Sequence, residues 1–484
     1  MRHQGVMEAQ VFYALGARPQ WDEGGRVVGV ELLSAEELQR PRLDVVLSVT
    51  GSYRDQFPAV MQWVDAAVNR TAALSEADNR VAASVERLRK QLESEGIAAD
   101  RAARLATRRV FSNEPGVYGT GVSDYVNASD LWEQQTRSGG DAEMAKLFLD
   151  RMGFPVGEEA GSADAAGLFA RHAAGVDCVL ASRSSHTFGV LTSDDPFAYI
   201  GAFSLAARSL GGKAPRLYVE NLRDESEVII DPADQAIAKE MQSRYLHPQW
   251  IKSQQGEGYS GALQVLKTTQ FLWGWQVTAP ETVRQDQWQS LFDVYLRDQY
   301  QLGTQQWLEE TNPAALAQML ERMVDAVRLG YWKPDAQTET ELLARFDRAM
   351  EQSPLRDRNA AVLAFAENRR TRLVDLKPDA SATPENSVAA ESPPAAAMAA
   401  NPSSASSPAP PAKPTAASAS PQNAAESGFV QGVKMEPEPE PTAPAAPPVV
   451  LPGWWETWGV RLGLLAMVFG LVLAGAWRQG GRFR

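Results

Sequence analysis

The chain has 484 residues, a formal net charge of −13 and a single cysteine. An acidic chain without a dense cluster of lysines and arginines argues against nucleic acid as a partner. One cysteine also excludes a disulfide framework and any zinc or iron–sulfur site that needs several thiolates. Because Cys178 lies in the apolar run VDCVLAS, we expect its thiol to be buried and inert.

Strand and helix patterns alternate over residues 1–225. Residues 7–16 predict a helix that ends at a glycine, and residues 26–33 predict a strand followed by a capping box at Ser34 and Glu37. The apolar run at 43–50 predicts a buried strand. Further helices are predicted at 56–73, 81–95, 142–152 and 203–209, and further strands at 108–111, 176–182 and 217–220. Such alternation predicts an α/β sheet with helices on its faces.

From residue 226 to residue 375 the apolar spacing is almost entirely helical. We therefore expect a mainly helical subdomain at 226–375, which completes a globular region of residues 1–375. The composition then changes, because residues 381–450 hold 15 of the chain's 30 prolines and are dense in alanine and serine. A segment that buries so little apolar surface does not fold alone, so residues 376–451 are predicted to be a disordered linker.

The C-terminal region predicts one transmembrane helix at 457–477, with tryptophans at both of its ends. The basic tail at 478–484 carries Arg478, Arg482 and Arg484, so we expect this tail in the cytoplasm of a bacterium and the helix in its inner membrane. That orientation places the globular part outside the membrane. The first twenty residues lack the pattern of a signal peptide, which leaves the side of the globular part open.

Ligands of open α/β sheets bind beyond the carboxyl ends of the strands, so the loops at these ends are candidate site elements. Arg54 and Asp55 follow the predicted strand at 43–50, and an internal ion pair is the favoured interpretation. The glycine-rich loop at 112–127 follows the next strand and resembles a phosphate loop only weakly. The sequence Gly211-Gly212-Lys213 continues with Ala214, so the chain has no Walker A motif there and we do not expect it to hydrolyse ATP.

The loop after the strand at 176–182 contains His186, Asp194 and Asp195. An imidazole and two carboxylates are suited to holding an exchangeable divalent metal and to accepting protons from a substrate nitrogen. A lone histidine in a loop is more often structural, and the residues alone leave both interpretations open.

The run from Tyr245 to Trp275 combines an aromatic, basic edge with the turn Gly256-Glu257-Gly258-Tyr259 and a helix ending in Trp273-Gly274-Trp275. It resembles the "N-P-K-W … G-Y-x-G … G-W" signature of the cobaltochelatase large subunit, a relative of the large subunit of magnesium chelatase. Five further blocks resemble the same family in the same order. They are the segment at 1–16, PRLDVVLSVTGSYRDQFP at 41–58, FSNEPGVYGTGVSDYV at 111–126, the loop at 186–195, and the segment from Asn312-Pro313 to Gly330-Tyr331-Trp332.

The resemblance covers residues 1 to about 350 and implies a role in inserting a metal into a tetrapyrrole during cobalamin biosynthesis. It implies Co²⁺ as the substrate metal, with Mg²⁺ as the alternative, and a macrocycle similar to hydrogenobyrinic acid a,c-diamide. It also implies two types of AAA+ partner subunit, which would bind and hydrolyse ATP with Mg²⁺.

The same resemblance supplies candidate site residues. Proton transfer and metal capture are expected at His186, Asp194 and Asp195, with Glu114 as a further catalytic candidate. His3 and Glu8 are further candidates for metal contact. Contact with the macrocycle is expected from Tyr118, Trp250, Tyr259, Trp275 and Arg183.

Three departures from the family pattern keep a second interpretation open. His247-Pro248-Gln249 replaces Asn-Pro-Lys, Pro196-Phe197 replaces Tyr-Tyr, and family members are much longer than this chain. The first interpretation is a membrane-anchored chelatase large subunit, N-terminally truncated relative to the family. The alternative is a non-catalytic protein that binds a tetrapyrrole or a metal at the membrane for uptake or delivery.

Overall fold

A computed structural model of the protein describes residues 5–128, 137–159, 161–185, 187–224, 227–353 and 359–375. These residues belong to one compact unit, Met1–Asn386. Within them, no helix is long and apolar enough to cross a membrane. The predicted linker at 376–451, the predicted transmembrane helix at 457–477 and the basic tail lie outside the described residues.

The chain opens with helix α1, Val6–Leu15, and an antiparallel hairpin of β1, Ala17–Trp21, and β2, Val27–Leu32. Gly16 ends α1 with φ of 72°, and its N–H bonds to the carbonyls of the last turn, which confirms the predicted glycine stop. The capping box at Ser34 and Glu37 is also present, because each side chain accepts a backbone N–H from the other residue.

The first three-stranded sheet has the order β3-β4-β5, with β3, Leu47–Ser48, parallel to β4, Val110–Ser112, and β5, Phe154–Pro155, antiparallel to β4. The strand predicted at 43–50 is therefore only two residues long. The backbone N–H of Leu43 bonds instead to Ala14 O at the end of α1. Arg109 also binds the Asp44 carboxylate, so this segment is held by other contacts before it reaches the sheet.

The second three-stranded sheet has the order β6-β7-β8. Strands β6, Cys178–Arg183, and β7, Arg216–Asn221, are parallel, and the edge strand β8, Ile229–Pro232, is antiparallel to β7. Cys178 begins the opposite edge strand and is exposed. The prediction of a buried thiol is therefore wrong, because an edge strand has no neighbour on its outer side.

Helices cover the rest of this first part. They pack around the sheets as α2–α10, with the bounds Ala35–Leu38, Gly51–Gln56, Pro58–Ala72, Arg80–Ser94, Ala99–Ala106, Val122–Asn127, Arg137–Met152, Leu168–Ala173 and Ala202–Gly211. Short 3₁₀ segments lie at Ala163–Ala165 and Pro280–Thr282, and π-helical turns lie at Phe197–Gly201 and Met241–Tyr245.

After β8 the described chain is helical, as the sequence predicts. Fully buried tryptophans at positions 273, 275, 288 and 332 occupy the centre of this region. The helices α11–α18 have the bounds Ala233–Glu240, Pro248–Gly256, Tyr259–Thr278, Gln285–Tyr295, Thr304–Thr311, Pro313–Arg328, Ala336–Gln352 and Ala360–Asp375. The α/β and helical parts share one large apolar core, so α13 supports the loops at the ends of β6 and β7.

Candidate functional site

A charged pocket of about 170 Å³ lies at the carboxyl ends of the parallel strands β6 and β7. Arg183 and Asn221, the last residues of these strands, are register partners and both line it. This is the place in an open α/β sheet where ligands bind. The other charged groups of the lining are Arg223, Asp231, Lys239, Glu240 and Arg244.

Glu240, at the end of α11, fixes the loop that follows β6. Its carboxylate accepts the backbone N–H groups of Val190 at 2.6 Å and Leu191 at 3.2 Å, and the Tyr245 hydroxyl at 3.2 Å. Gly189 allows this approach, because a Cβ atom there would collide with the Glu240 carboxylate. Hydrogen bonds to a carboxylate are the stronger kind, so the loop and α11 form one wall.

The run from Tyr245 to Trp275 packs directly against this loop. The Trp275 indole donates to Val190 O at 2.9 Å, and the Trp250 ring lies edge-on to Tyr245 with 5.1 Å between ring centroids. The two motifs that the sequence singles out therefore meet in space. Trp275 is 0% exposed, so it offers no surface to a macrocycle and its predicted contact role is wrong in this structure. A residue in the last turns of α13, packed on a buried loop, belongs to the core.

Arg183 is a largely buried cation within this pocket. Its Nη1 donates to Phe188 O at 3.0 Å, whereas Nε and Nη2 have no hydrogen-bond partner among the described residues. Burial lowers the pKa of Arg183 to about 10, while Glu240, Tyr245 and Asp195 act in the opposite direction. The guanidinium is still charged at neutral pH, so the pocket holds an incompletely solvated positive charge.

Asp194 and Asp195 are exposed and precede the π-helical turn Phe197–Gly201. Burial, and then the charges of Asp195 and Asp194, raise the pKa of Tyr199 to about 12. Both carboxylates therefore lie near Tyr199, and Asp195 also acts on Arg183. Single π-helical turns are frequent at functional sites, and a second one at Met241–Tyr245 borders the pocket. His186 lies outside the described residues, so its predicted pairing with these aspartates stays a prediction.

A second polar cluster lies where β3 and β4 end. Glu8 is buried and accepts the Tyr53 hydroxyl at 2.5 Å. Burial and this bond raise the pKa of Tyr53 well above its ordinary value, so Tyr53 stays a donor. Arg54 pairs with Asp55 at 2.8 Å, which confirms the predicted ion pair. The Asp55 carboxylate also accepts the Tyr118 hydroxyl at 2.7 Å.

Glu114 is exposed, and its backbone carbonyl, not its carboxylate, accepts from Arg54 at 2.8 Å. Tyr118 and Tyr259 are 57% and 62% exposed. His3 lies outside the described residues. Among residues that the structure does describe, no three histidine, cysteine, aspartate or glutamate side chains are grouped so that they could hold a metal ion.

Glu240 and Glu220 are polar residues at the site that the sequence reasoning did not select. Glu220, on β7, is 0% exposed and accepts from the Gln10 side chain of α1, which joins the first helix to the second sheet. A glutamate near the end of a predicted strand was a signal for Glu220. Nothing in the sequence pairs Glu240 with Gly189, because fifty-one positions separate them.

Comparison with known proteins shows consistent similarity. The CobN/Magnesium Chelatase family model matches residues 1–339. The chain is 30% identical over 353 residues to the aerobic cobaltochelatase CobN protein of Sinorhizobium sp, covering 72% of this chain and 26% of that protein. It is 28% identical over 338 residues to the H-type component of magnesium chelatase from Cereibacter sphaeroides, covering 70% and 27%.

A solved structure is also similar to this fold. It is the catalytic subunit of cobaltochelatase from Mycobacterium tuberculosis, with a TM-score of 0.64 and 28% identity. The alignment covers 71% of this chain and 28% of that one. The chain thus spans about a quarter of the length of the relatives that it matches.

Proposed function

Because the chain belongs to the CobN/magnesium chelatase family, we propose that it is part of a chelatase large subunit, which holds a tetrapyrrole while a divalent metal is inserted. The observation that carries this proposal is the extent of the family match. Residues 1–339 include every residue that lines the pocket at the ends of β6 and β7. A ligand pocket depends on the loops that support it, and here those loops also fall within the match.

The chemistry of metal insertion sets the roles of the residues. A macrocycle must lose two N–H protons, and the metal must lose water, before four ring nitrogens can bind it. We assign proton acceptance and a weak metal contact to His186, Asp194 and Asp195, because their side chains suit both tasks. Glu114, Glu8 and His3 are assigned supporting positions in the same cavity. Tyr118, Trp250, Tyr259 and Arg183 are assigned contact with the ring.

The metal and the partners are proposed on the similarity to cobaltochelatase. Co²⁺ is the proposed substrate metal, and Mg²⁺ is the alternative because the magnesium-chelatase relative is nearly as similar. A hydrogenobyrinic acid diamide is the proposed macrocycle. Two types of AAA+ subunit are proposed to hydrolyse ATP, since the sequence around Gly211-Gly212-Lys213 lacks the Ser or Thr of a Walker A motif.

The test is reconstitution of the 484-residue chain with candidate AAA+ subunits, ATP, Co²⁺ and the macrocycle. Metal insertion is followed by the change in the absorbance spectrum of the ring. We expect insertion, and we expect His186→Ala to lower its rate at least tenfold, since loss of an acid–base group costs about 10²–10⁴-fold. The exposed Glu36→Gln on α2 is the control, and its rate should not change. Full activity of His186→Ala would remove His186 from the mechanism.

The same experiment separates the chelatase from a non-catalytic binding protein. The short span of the match favours keeping this second candidate, because about three quarters of the relatives' length has no counterpart here. Titration of the chain alone with the macrocycle measures binding. Binding without insertion, in the presence of active partner subunits, would favour uptake or delivery.

We also propose that residues 457–477 anchor the protein in a bacterial inner membrane, with the basic tail in the cytoplasm. The positive-inside rule places the globular part in the periplasm, whereas analogy with the family places it in the cytoplasm. Protease digestion of intact spheroplasts distinguishes the two sides. Cleavage of the globular part before lysis supports the periplasm, and resistance until lysis rules it out.

A further inference from the structure

We propose that the pocket at the ends of β6 and β7 binds a carboxylate side chain of the macrocycle, with Arg183 as its main contact. This inference rests on the proposed function for the identity of the ligand. Its structural basis, an anion site built around an incompletely paired arginine, is independent of that function.

The charge of the pocket favours an anion. Four cationic side chains and two carboxylates line it. Both carboxylates already have protein partners. Asp231 pairs with Lys239 at 2.6 Å, and Glu240 accepts two backbone N–H groups and a tyrosine hydroxyl. The remaining positive charge belongs to Arg183, Arg223 and Arg244.

Arg183 is the group with the most to gain from a ligand. A planar guanidinium can bind a carboxylate through two parallel N–H bonds. In Arg183 the two adjacent donors Nε and Nη2 have no partner in the described part of the chain, and these are two nitrogens that such a fork can use. Both atoms are shielded from bulk solvent, so we expect the side chain to change rotamer when a ligand enters, as is common on binding.

The pocket also has an apolar border that fits an amphiphilic ligand. Ile229, on the edge strand β8, lines the pocket and is 38% exposed. Val190 and Ala236 add further apolar surface to the lining. A flat ring with peripheral acid groups presents both an apolar face and a carboxylate, whereas inorganic phosphate presents only charge. The mixed lining therefore favours a carboxylate carried by a ring.

The test compares two probes that differ only in their acid groups, a dicarboxylate porphyrin and its dimethyl ester. Dissociation constants for the full chain are measured by quenching of tryptophan fluorescence. We expect the wild type to bind the diacid at least tenfold more tightly than the ester. Arg183→Gln should weaken diacid binding about 10–100-fold and leave ester binding unchanged, as expected for loss of a charge-assisted pair. Arg183→Lys should lie between them.

The control is Arg18→Gln, which removes a charge from the exposed hairpin, where Arg18 pairs with Glu31. It should bind both probes as the wild type does, and thermal unfolding of each variant confirms that it is folded. Equal weakening of both probes by Arg183→Gln, or no weakening of either, would overturn the proposal.

Acetate and inorganic phosphate separate failure of this inference from failure of the proposed function. If the wild type binds neither porphyrin, the proposed function fails. Thermal stabilisation of the wild type, but not of Arg183→Gln, by acetate would then still support the carboxylate site. Stabilisation by phosphate alone, or by neither anion, would overturn it.

Discussion

Replacing Trp275 with alanine should lower the free energy of unfolding by about 3–5 kcal/mol, the usual cost of removing a buried tryptophan. The ring is 0% exposed, so its loss leaves a cavity in the shared core. The variant also leaves Val190 O without its indole donor, which adds the cost of a buried unpaired carbonyl. Chemical denaturation followed by far-UV circular dichroism measures the change.

Two further substitutions make the result specific to Trp275. Trp275→Phe keeps most of the buried ring and loses the bond to Val190 O, so it should cost about 1–2 kcal/mol. Tyr259→Ala removes a ring that is 62% exposed and should change stability by less than about 0.5 kcal/mol. A Trp275→Ala variant as stable as the wild type would contradict its place in the core.

Gly261→Ala is the second substitution expected to have a large effect, with a loss of about 2–3 kcal/mol in the free energy of unfolding. Helix α13 crosses α12 at this glycine, and a Cβ atom there would overlap the backbone carbonyl of Gln254. A carbonyl fixed in a helix cannot move aside as a side chain can. The two helices must therefore separate, and such overpacking typically costs about 1–3 kcal/mol.

Gly256→Ala is the matched control, because Gly256 lies at the end of α12 and a Cβ atom there meets nothing within 4 Å. That variant should be neutral, or more stable by up to about 1 kcal/mol. Thermal and urea unfolding of both variants under one set of conditions gives the comparison. Equal stability of the two variants would mean that the contact between α12 and α13 is looser than the structure indicates.

These contacts give the Gly-Tyr-x-Gly motif a structural explanation. Gly258 has φ of 56° and ψ of −125°, a conformation open essentially to glycine alone, and Gly261 is required by helix contact. Tyr259 between them is exposed. The glycines are explained by the backbone, so only the tyrosine remains a candidate for ligand contact.

The sequence predicted local structure better than pairing between distant segments. The end of α1 at Gly16 and the capping box at Ser34 depend on neighbouring residues, and both are as predicted. The strand predicted at 43–50 shrank to Leu47–Ser48 because α1 and Arg109 bind its first half. Those contacts come from other parts of the chain, which apolar periodicity does not record.

The candidate site divides in the same way. Arg183 was selected because it follows a predicted strand, and the structure places it in a pocket at that strand's end. Trp275 was assigned to a surface because its motif is aromatic, yet its ring is buried. Burial of an aromatic residue depends on what packs over it, and here that is the loop at 187–192, more than eighty residues earlier in the chain.

The indole bonds of α13 also bear on how the globular part unfolds. Trp273 donates to Val126 O at 3.1 Å, Trp275 donates to Val190 O, and Arg322 donates to Asn127 O at 2.6 Å. All three acceptors belong to the α/β part, and all three donors belong to the helical part. Separating the parts would strand buried polar groups on both sides. The α/β and helical parts therefore act as a single cooperative unit, and a fragment cut between them near residue 225 would lose the contacts that hold its own loops.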